Sequence, residues 1–116
     1  MPLAGCNAAE NPELACQKRL AAAREAPAAA GDEFNHQAYA KLDRTGCSAK
    51  QMAVLDQVLV LTKTLPGLTE ANNRIGASGD KAAHMTAFQQ MNNAVIALND
   101  LEQAIRADLA KMEPQP

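Results

Sequence analysis

Apolar residues recur at helical spacing along the chain and are densest between Ser48 and Gly67. The segment carries two apolar stripes, one of Met52, Leu55 and Leu59 and one of Val54, Val58, Leu61 and Leu65, with Val60 between them. A helix with two apolar faces has to be covered on both sides. Ser48 and Gln51 form a capping-box sequence at its start, and Pro66-Gly67 predicts its end. We therefore expect a central helix over 48–67, surrounded by the other helices.

The flanking segments predict four further helices, over 11–26, 32–46, 68–75 and 80–113. Asn11, Asp32 and Asp80 are suitable N-caps for three of them, and Pro12 favours the first helical position. Gly46 predicts the end of the second helix. The fold expected from this pattern is all-α, an antiparallel bundle of four main helices with a short extra helix.

The last helix carries the longest regular stripe: Phe88, Met91, Val95, Leu98, Leu101, Ile105, Leu109 and Met112. At about 1.5 Å per residue it should be about 50 Å long, against about 27 Å for the central helix, so it should overhang its neighbour. We predict that Leu98, Leu101, Ile105, Leu109 and Met112 form a dimer seam or a docking surface for another protein. The alternative is that the first two helices bury this stripe within the monomer.

Composition agrees with one helical domain over 11–113, preceded by a tether (1–10) and followed by a tail (114–116). Alanine is abundant, and the aromatic residues are one Tyr and two Phe, which favours closely packed helices over sheets. The net charge is -2, with Lys and Arg scattered among acids, so non-specific nucleic-acid binding is not expected. Asp56 and Lys63 argue against a membrane span in the central helix.

Leu3-Ala4-Gly5-Cys6 resembles the lipobox of bacterial lipoproteins. The resemblance implies that Cys6 is lipidated after a signal peptide is removed, and that Asn7 is compatible with sorting to the outer membrane. Only Met1 and Pro2 precede the box, so the signal peptide is expected to have been trimmed from this sequence and replaced by a starting Met. The protein would then be periplasmic and attached to a membrane through its lipid alone. The alternative is a cytoplasmic protein in which these four residues occur next to each other by chance.

With Cys6 assigned to lipid, Cys16 and Cys47 remain as a pair in a compartment where disulfides persist. We expect a Cys16–Cys47 disulfide that ties the first helix to the central one. The alternative is two buried free thiols in a cytosolic protein. A metal site is less favoured because neither cysteine has a CxxC partner or a nearby His.

The sequence gives only weak indications of a metal site or a catalytic site elsewhere in the chain. His84, Met85 and Met91 are ligand types that suit Cu(I), but His84 and Met85 point about 100° apart on a helix, so we interpret the methionines as core filler. His36 has no partner for nucleophilic or acid–base catalysis. Asn72-Asn73 and Asn92-Asn93 are unusual inside helices. Asn92-Asn93, beside Met91 and Val95, either makes a polar contact or lines a ligand groove, or is simply solvated. No catalytic residue, metal or cofactor is predicted.

The function expected from these patterns is a non-catalytic protein–protein interaction module of the bacterial envelope, with another protein or a second copy as partner. The architecture resembles small helical lipoproteins of the immunity, exclusion and secretion-accessory types, which is an analogy of fold rather than of site. The alternative function is a periplasmic bundle that binds a small ligand or a metal in its interior.

Overall fold

The computed structural model describes residues 11–113. They form four α-helices: α1 (Pro12–Glu25), α2 (His36–Ala40), α3 (Ala49–Ser78) and α4 (Lys81–Met112). The described chain contains no β-strand, so the all-α fold class is confirmed.

Three of the predicted helix starts are present. The Asn11 side chain accepts a hydrogen bond from the Glu13 N–H (2.8 Å), with Pro12 at the first helical position. Ser48 and Gln51 make both bonds of the predicted capping box, and the Asp80 carboxylate accepts from the Ala83 N–H (3.0 Å). Each cap satisfies backbone donors that have no partner inside the helix.

The predicted end of the central helix at Pro66-Gly67 is wrong. α3 continues through Pro66 to Ser78, and the expected short helix over 68–75 is its second half. A proline inside a helix removes one backbone hydrogen bond and costs about 3 kcal/mol, but packing can override that preference. α3 packs more extensively on α4 than on any other helix, and α3 ends at Gly79 in the left-handed conformation. Since α3 has 30 residues and α4 has 32, the predicted overhang of the last helix is also wrong.

The second helix is much shorter than predicted. α2 has five residues, and the Asp32 carboxylate accepts bonds from the backbone N–H groups of His36 and Gln37 (both 2.9 Å). Asn35 adopts a left-handed conformation (φ 59°) and donates from Nδ2 to the carbonyls of Ala23, Arg24 and Ala26 at the end of α1. These side-chain bonds compete with helical ones and hold 32–35 as a turn.

The buried core lies at one end of the α3–α4 pair. Its buried residues are Cys16, Leu20, Ala23, Tyr39, Leu55, Val58, Leu65, Leu98 and Ile105. α3 buries one stripe, which also includes Gln51 and Thr62, whereas Met52 and Val60 are exposed. Val54, Leu59 and Leu61 are half-buried against the same core, so both predicted stripes are partly covered, and the predicted cover is incomplete rather than absent.

α1 and α2 contact only one end of the α3–α4 pair, so the molecule has a covered part and an uncovered part. Polar contacts from these helices reach α3 at Gln51 and Thr62 and α4 at Glu102, Ile105 and Arg106. From Leu65 along α3 to Leu98 on α4, the only residue buried in between is Ala87. We call residues 11–65 and 98–113 the covered half, and residues 66–97 the bare half.

The Cys16–Cys47 disulfide is present, with the two Cα atoms 5.2 Å apart, inside the range that a disulfide spans. It joins α1 to the loop before α3. Arg19 of α1 strengthens the same junction, because its guanidinium donates to the backbone carbonyls of Asp43 (2.9 Å) and Thr45.

Candidate functional site

The residues predicted as a partner surface lie largely within the covered half. Leu98 and Ile105 are buried in the chain itself, and Leu101 packs against the same core. Leu109 and Met112 are half-buried. The overhang on which this prediction rested does not exist, and Leu98 and Ile105 have no surface to offer a partner. Partner binding through Leu101, Leu109 and Met112 stays a prediction.

Exposed apolar side chains lie instead on α4 in the bare half. Met85, Phe88, Val95 and Ile96 are 60%, 46%, 39% and 50% exposed. Their successive separations of three, seven and one residues place them on one side of the helix, which we call the apolar face. The buried stripe of Ala87, Leu98 and Ile105 lies on another side, so α4 carries two apolar sectors and the chain covers one of them.

The apolar face is also free of formal charge. Between Lys81 and Asp100 the sequence has no Asp, Glu, Lys or Arg, and its polar residues there are Thr, Gln, Asn and His. Solvent-exposed helix surfaces normally carry many charges. Depletion of charge, together with exposed Met and Phe, is the composition found at the centre of protein–protein interfaces.

A groove borders the apolar face where the covered half begins. We call it the side groove; it has a volume of about 400 Å³ and is lined by Arg24, Glu33, Phe34, Asn35, Val95, Ile96, Leu98, Asn99 and Glu102. Phe34 and Asn35 come from the turn that the Asp32 and Asn35 side chains hold together. The groove therefore combines apolar side chains, which include Phe34 and Leu98, with the charged side chains of Arg24, Glu33 and Glu102.

A second cavity of about 380 Å³ lies between α1 and the ends of α3 and α4. Two buried amides line it: Gln51 donates to Gln17 Oε1 (2.9 Å) and to the Glu13 carbonyl (2.8 Å), and Gln17 donates to the Ile105 carbonyl (2.8 Å). Leu20, Val54 and Met112 supply apolar walls, and Lys50, Asp108 and Lys111 lie around it. We call this cavity the amide cleft.

Tyr39 and Glu102 form a buried polar junction between α2 and α4. The Tyr39 hydroxyl donates to Glu102 Oε2 (3.4 Å), and Arg24 Nε donates to Glu102 Oε1 (2.9 Å). Burial raises the pKa of Tyr39 above its ordinary value, and the negative charge of Glu102 raises it further. A tyrosine held in its neutral form is a structural hydrogen-bond donor rather than a base.

The other predicted chemical candidates are dispersed. His84 packs against Gly76, where its Nε2 lies 3.0 Å from the position that a Cβ would take. Met85 is exposed, so its interpretation as core filler is wrong, while Met91 is half-buried. His36 Nδ1 lies 2.8 Å from Thr62 Oγ1, a hydroxyl that bonds the Val58 carbonyl of its own helix. Within residues 11–113 no group of three or more His, Cys, Asp or Glu is placed to hold a metal ion.

The paired asparagines have different surroundings. Asn92 and Asn93 are both exposed, whereas Asn72 is half-buried and its Oδ1 has no hydrogen-bond partner among the described residues. The lipobox residues and Cys6 lie outside the described residues. No helix in the part of the chain that the structure describes has the length and apolarity required to cross a membrane.

No family model, curated protein or solved structure matches this chain. The functional interpretation therefore depends on its own residues. The apolar face was missed in the sequence because Phe88 and Val95 fit the same stripe as Leu98 and Ile105. The uncharged stretch between Lys81 and Asp100 is the signal that could have identified it.

Proposed function

We propose that the protein is a non-catalytic helical module that binds another protein or a second copy of itself at the bacterial envelope, and that the apolar face of α4 is its binding surface. The observation that carries the proposal is the exposure of Met85, Phe88, Val95 and Ile96 on a helix surface without formal charge. An exposed apolar patch that the chain's own elements leave uncovered is typical of an interaction site.

Two features favour the envelope. The Cys16–Cys47 disulfide belongs to the chemistry of oxidising compartments, and Leu3-Ala4-Gly5-Cys6 resembles a lipobox. In this proposal Cys6 carries the lipid, and the helices form an antiparallel bundle of the immunity, exclusion or secretion-accessory type. The segment from Cys6 to Asn11 spans less than about 20 Å when extended, so the domain would lie close to its membrane.

Site-specific photo-cross-linking tests the binding surface. A photoreactive residue replaces Ile96 on the apolar face or, as a control, Val60, which is 61% exposed on α3 in the covered half. Cells that make the full-length protein are irradiated, and adducts are identified by mass spectrometry. We expect a discrete protein adduct from position 96 and much less from position 60. Equal or absent labelling at the two positions would overturn the proposal.

Mass spectrometry of the protein extracted from envelope membranes tests the location. We expect a diacylglyceryl or triacyl modification on Cys6 and none on a Cys6→Ser variant, which should also be released from the membrane fraction. An unmodified Cys6 in the native protein would remove the membrane attachment from the proposal and leave the binding surface to be judged by cross-linking.

The amide cleft favours a second candidate function, the binding of a small ligand. Its volume, apolar walls and buried amides are features of small-molecule sites. A thermal-shift screen of amphipathic small molecules tests it, with a Val54→Trp variant that fills the cleft as the control. A compound that stabilises the wild type but not the variant would support this function, and a screen without such a compound would count against it.

A further inference from the structure

We infer that the partner of the apolar face is a second copy of this chain, bound through a two-fold symmetric pairing of two α4 helices about an axis near Asn92. The inference rests on the proposed function, because it names the protein that the same surface binds. Three observations carry it: a protruding residue and a groove on either side of Asn92, a self-complementary chemistry, and a centrally placed amide.

Asn92 lies at the centre of the apolar face. It follows Phe88 by four residues and precedes Val95 and Ile96 by three and four, so these side chains surround it on one side of α4. Asn92 is exposed, as is its neighbour Asn93. Asn93 points about 100° further around the helix, away from the apolar face.

The shape of the face is complementary to itself. Phe88, which is 46% exposed, lies about 6 Å before Asn92 along the helix, and Ile96, which lines the side groove, lies about 6 Å after it. A two-fold axis through Asn92 therefore brings Phe88 of each copy to the side groove of the other. In a symmetric dimer each residue pair occurs twice in this reciprocal way. Phe34 and Leu98 supply the apolar walls that would receive the ring.

The chemistry of the face is also complementary to itself. In a symmetric interface a charged group near the axis meets a like charge from the other copy, whereas an amide can both donate to and accept from its counterpart. The residues between Lys81 and Asp100 are apolar, hydroxyl, amide and imidazole types. The α4 residues of this surface therefore offer no charge to a partner, and the charges that border it, Arg24, Glu33 and Glu102 in the side groove, include both signs.

The apolar face is narrow, so the two copies should bind each other weakly. The segment from Met85 to Asn99 is about 21 Å long and presents one helix width of about 10 Å. A contact of that size, about 200 Å² on each copy, lies below the range of stable specific interfaces, so the association should be weak and reversible. We therefore expect a monomer–dimer equilibrium in the micromolar range or weaker.

Sedimentation equilibrium of the full-length protein, measured from low micromolar to near millimolar concentration, tests the inference. The informative variant is Asn92→Asp, and its matched control is Asn93→Asp, which adds the same charge one residue away. Both sites are exposed, so both variants should fold, which thermal unfolding checks. Asn92→Asp should weaken dimerisation about tenfold or more at low salt, with recovery at high salt, because two like charges meet at the axis. Asn93→Asp should change it about twofold or less.

Phe88→Ala tests the protruding ring and should reduce dimerisation to a similar degree as Asn92→Asp. A wild type that is monomeric throughout the concentration range would overturn the inference, as would equal effects of Asn92→Asp and Asn93→Asp. If the wild type is monomeric while the photoreactive residue at position 96 captures a different protein, the inference fails and the proposed function stands. If position 96 captures nothing and the protein is monomeric, both fail.

Discussion

The covered and bare halves are built on the same two long helices but distribute polarity in opposite ways. The covered half buries polar groups, including Gln17, Gln51 and Thr62, and satisfies them with hydrogen bonds. The bare half exposes apolar groups on α4, in the stretch between Lys81 and Asp100 that has no formal charge. Buried and satisfied polar groups specify one packing arrangement, whereas uncovered apolar groups remain available to a partner. If the proposed function is correct, the covered half supplies most of the stability, and binding takes place on the bare half and the side groove at its border.

Reduction of the disulfide should have the largest effect on the covered half. Cys16 and Cys47 are separated by 31 residues, and closing a loop of that size stabilises the folded state by about 4 kcal/mol in the chain-entropy estimate. Denaturant unfolding with and without a thiol reductant measures the loss. A Cys6→Ser variant is the control and should behave like the wild type. An unchanged midpoint on reduction would show that α1 is held in place without the bridge.

Truncations of large side chains should have the next largest effects on stability, and these effects should differ between the covered and bare halves. Leu55 is 1% exposed in the core, so Leu55→Ala should destabilise by about 2 to 5 kcal/mol, since it leaves a cavity. Phe88→Ala, in the bare half, should destabilise the monomer by about 1 kcal/mol or less. Leu59→Ala should fall between them, because Leu59 is half-buried. Chemical denaturation at low protein concentration gives the ranking, and a Phe88→Ala loss as large as that of Leu55→Ala would contradict the division.

Pro66 stands at the boundary between the halves, and its replacement should stabilise the protein. Pro66→Ala returns the missing backbone donor to the interior of α3 and should add about 2 kcal/mol, less than the full helix penalty because proline also restricts the unfolded chain. Gly67→Ala is the matched control: nothing lies within 4 Å of the added Cβ, so it should add about 1 kcal/mol. Thermal unfolding measures both changes. Stabilisation by Gly67→Ala with destabilisation by Pro66→Ala would mean that the packing of α3 requires the proline.

The ends of the helices show which features the sequence could predict and which it could not, and Pro66 is an example of the second kind. Caps such as Asn11, Ser48 with Gln51, and Asp80 act through neighbours in the chain, so their sequence pattern was sufficient. The end of α3 depends on packing against α4, a contact between distant segments that overrides the local preference of Pro66-Gly67.

The candidate site was harder to predict for a related reason. Phe88 and Leu98 belong to one run of apolar residues at steps of three or four, yet one is exposed and the other buried. They lie on different sides of α4, and α1 and α2 cover only one end of the long helices. The length of that cover depends on α2, which the Asp32 and Asn35 side chains shorten to five residues. Periodicity identifies an apolar sector of a helix, but it does not identify what covers the sector.

The smallest expected effect is the pH dependence of stability that comes from Tyr39. It is absent at neutral pH and develops only in alkaline solution. Burial and the charge of Glu102 raise the pKa of Tyr39, while in the unfolded chain it should titrate near the ordinary value of about 10. Below about pH 10 the phenol is neutral in both states, and its contribution to stability is fully present. As the pH rises above that value, the unfolded chain loses the proton first, which favours unfolding. Stability should therefore fall with rising pH.

Tyr39 can be followed by itself because it is the single Tyr in a chain without Trp. Ultraviolet titration of the folded protein should show tyrosinate forming only at a pH well above the ordinary range or together with unfolding. The Tyr39→Phe variant retains the lysines, arginines and ion pairs that also respond to alkali, so its shallower loss of stability above about pH 10 isolates the contribution of the phenol. Variants of the apolar face should leave this titration unchanged, since Tyr39 contacts Glu102 in the covered half. If Tyr39 ionised at its ordinary pKa while the protein stayed folded, its hydroxyl would be open to solvent, and the Tyr39–Glu102 hydrogen bond would not be part of the packed boundary of the covered half.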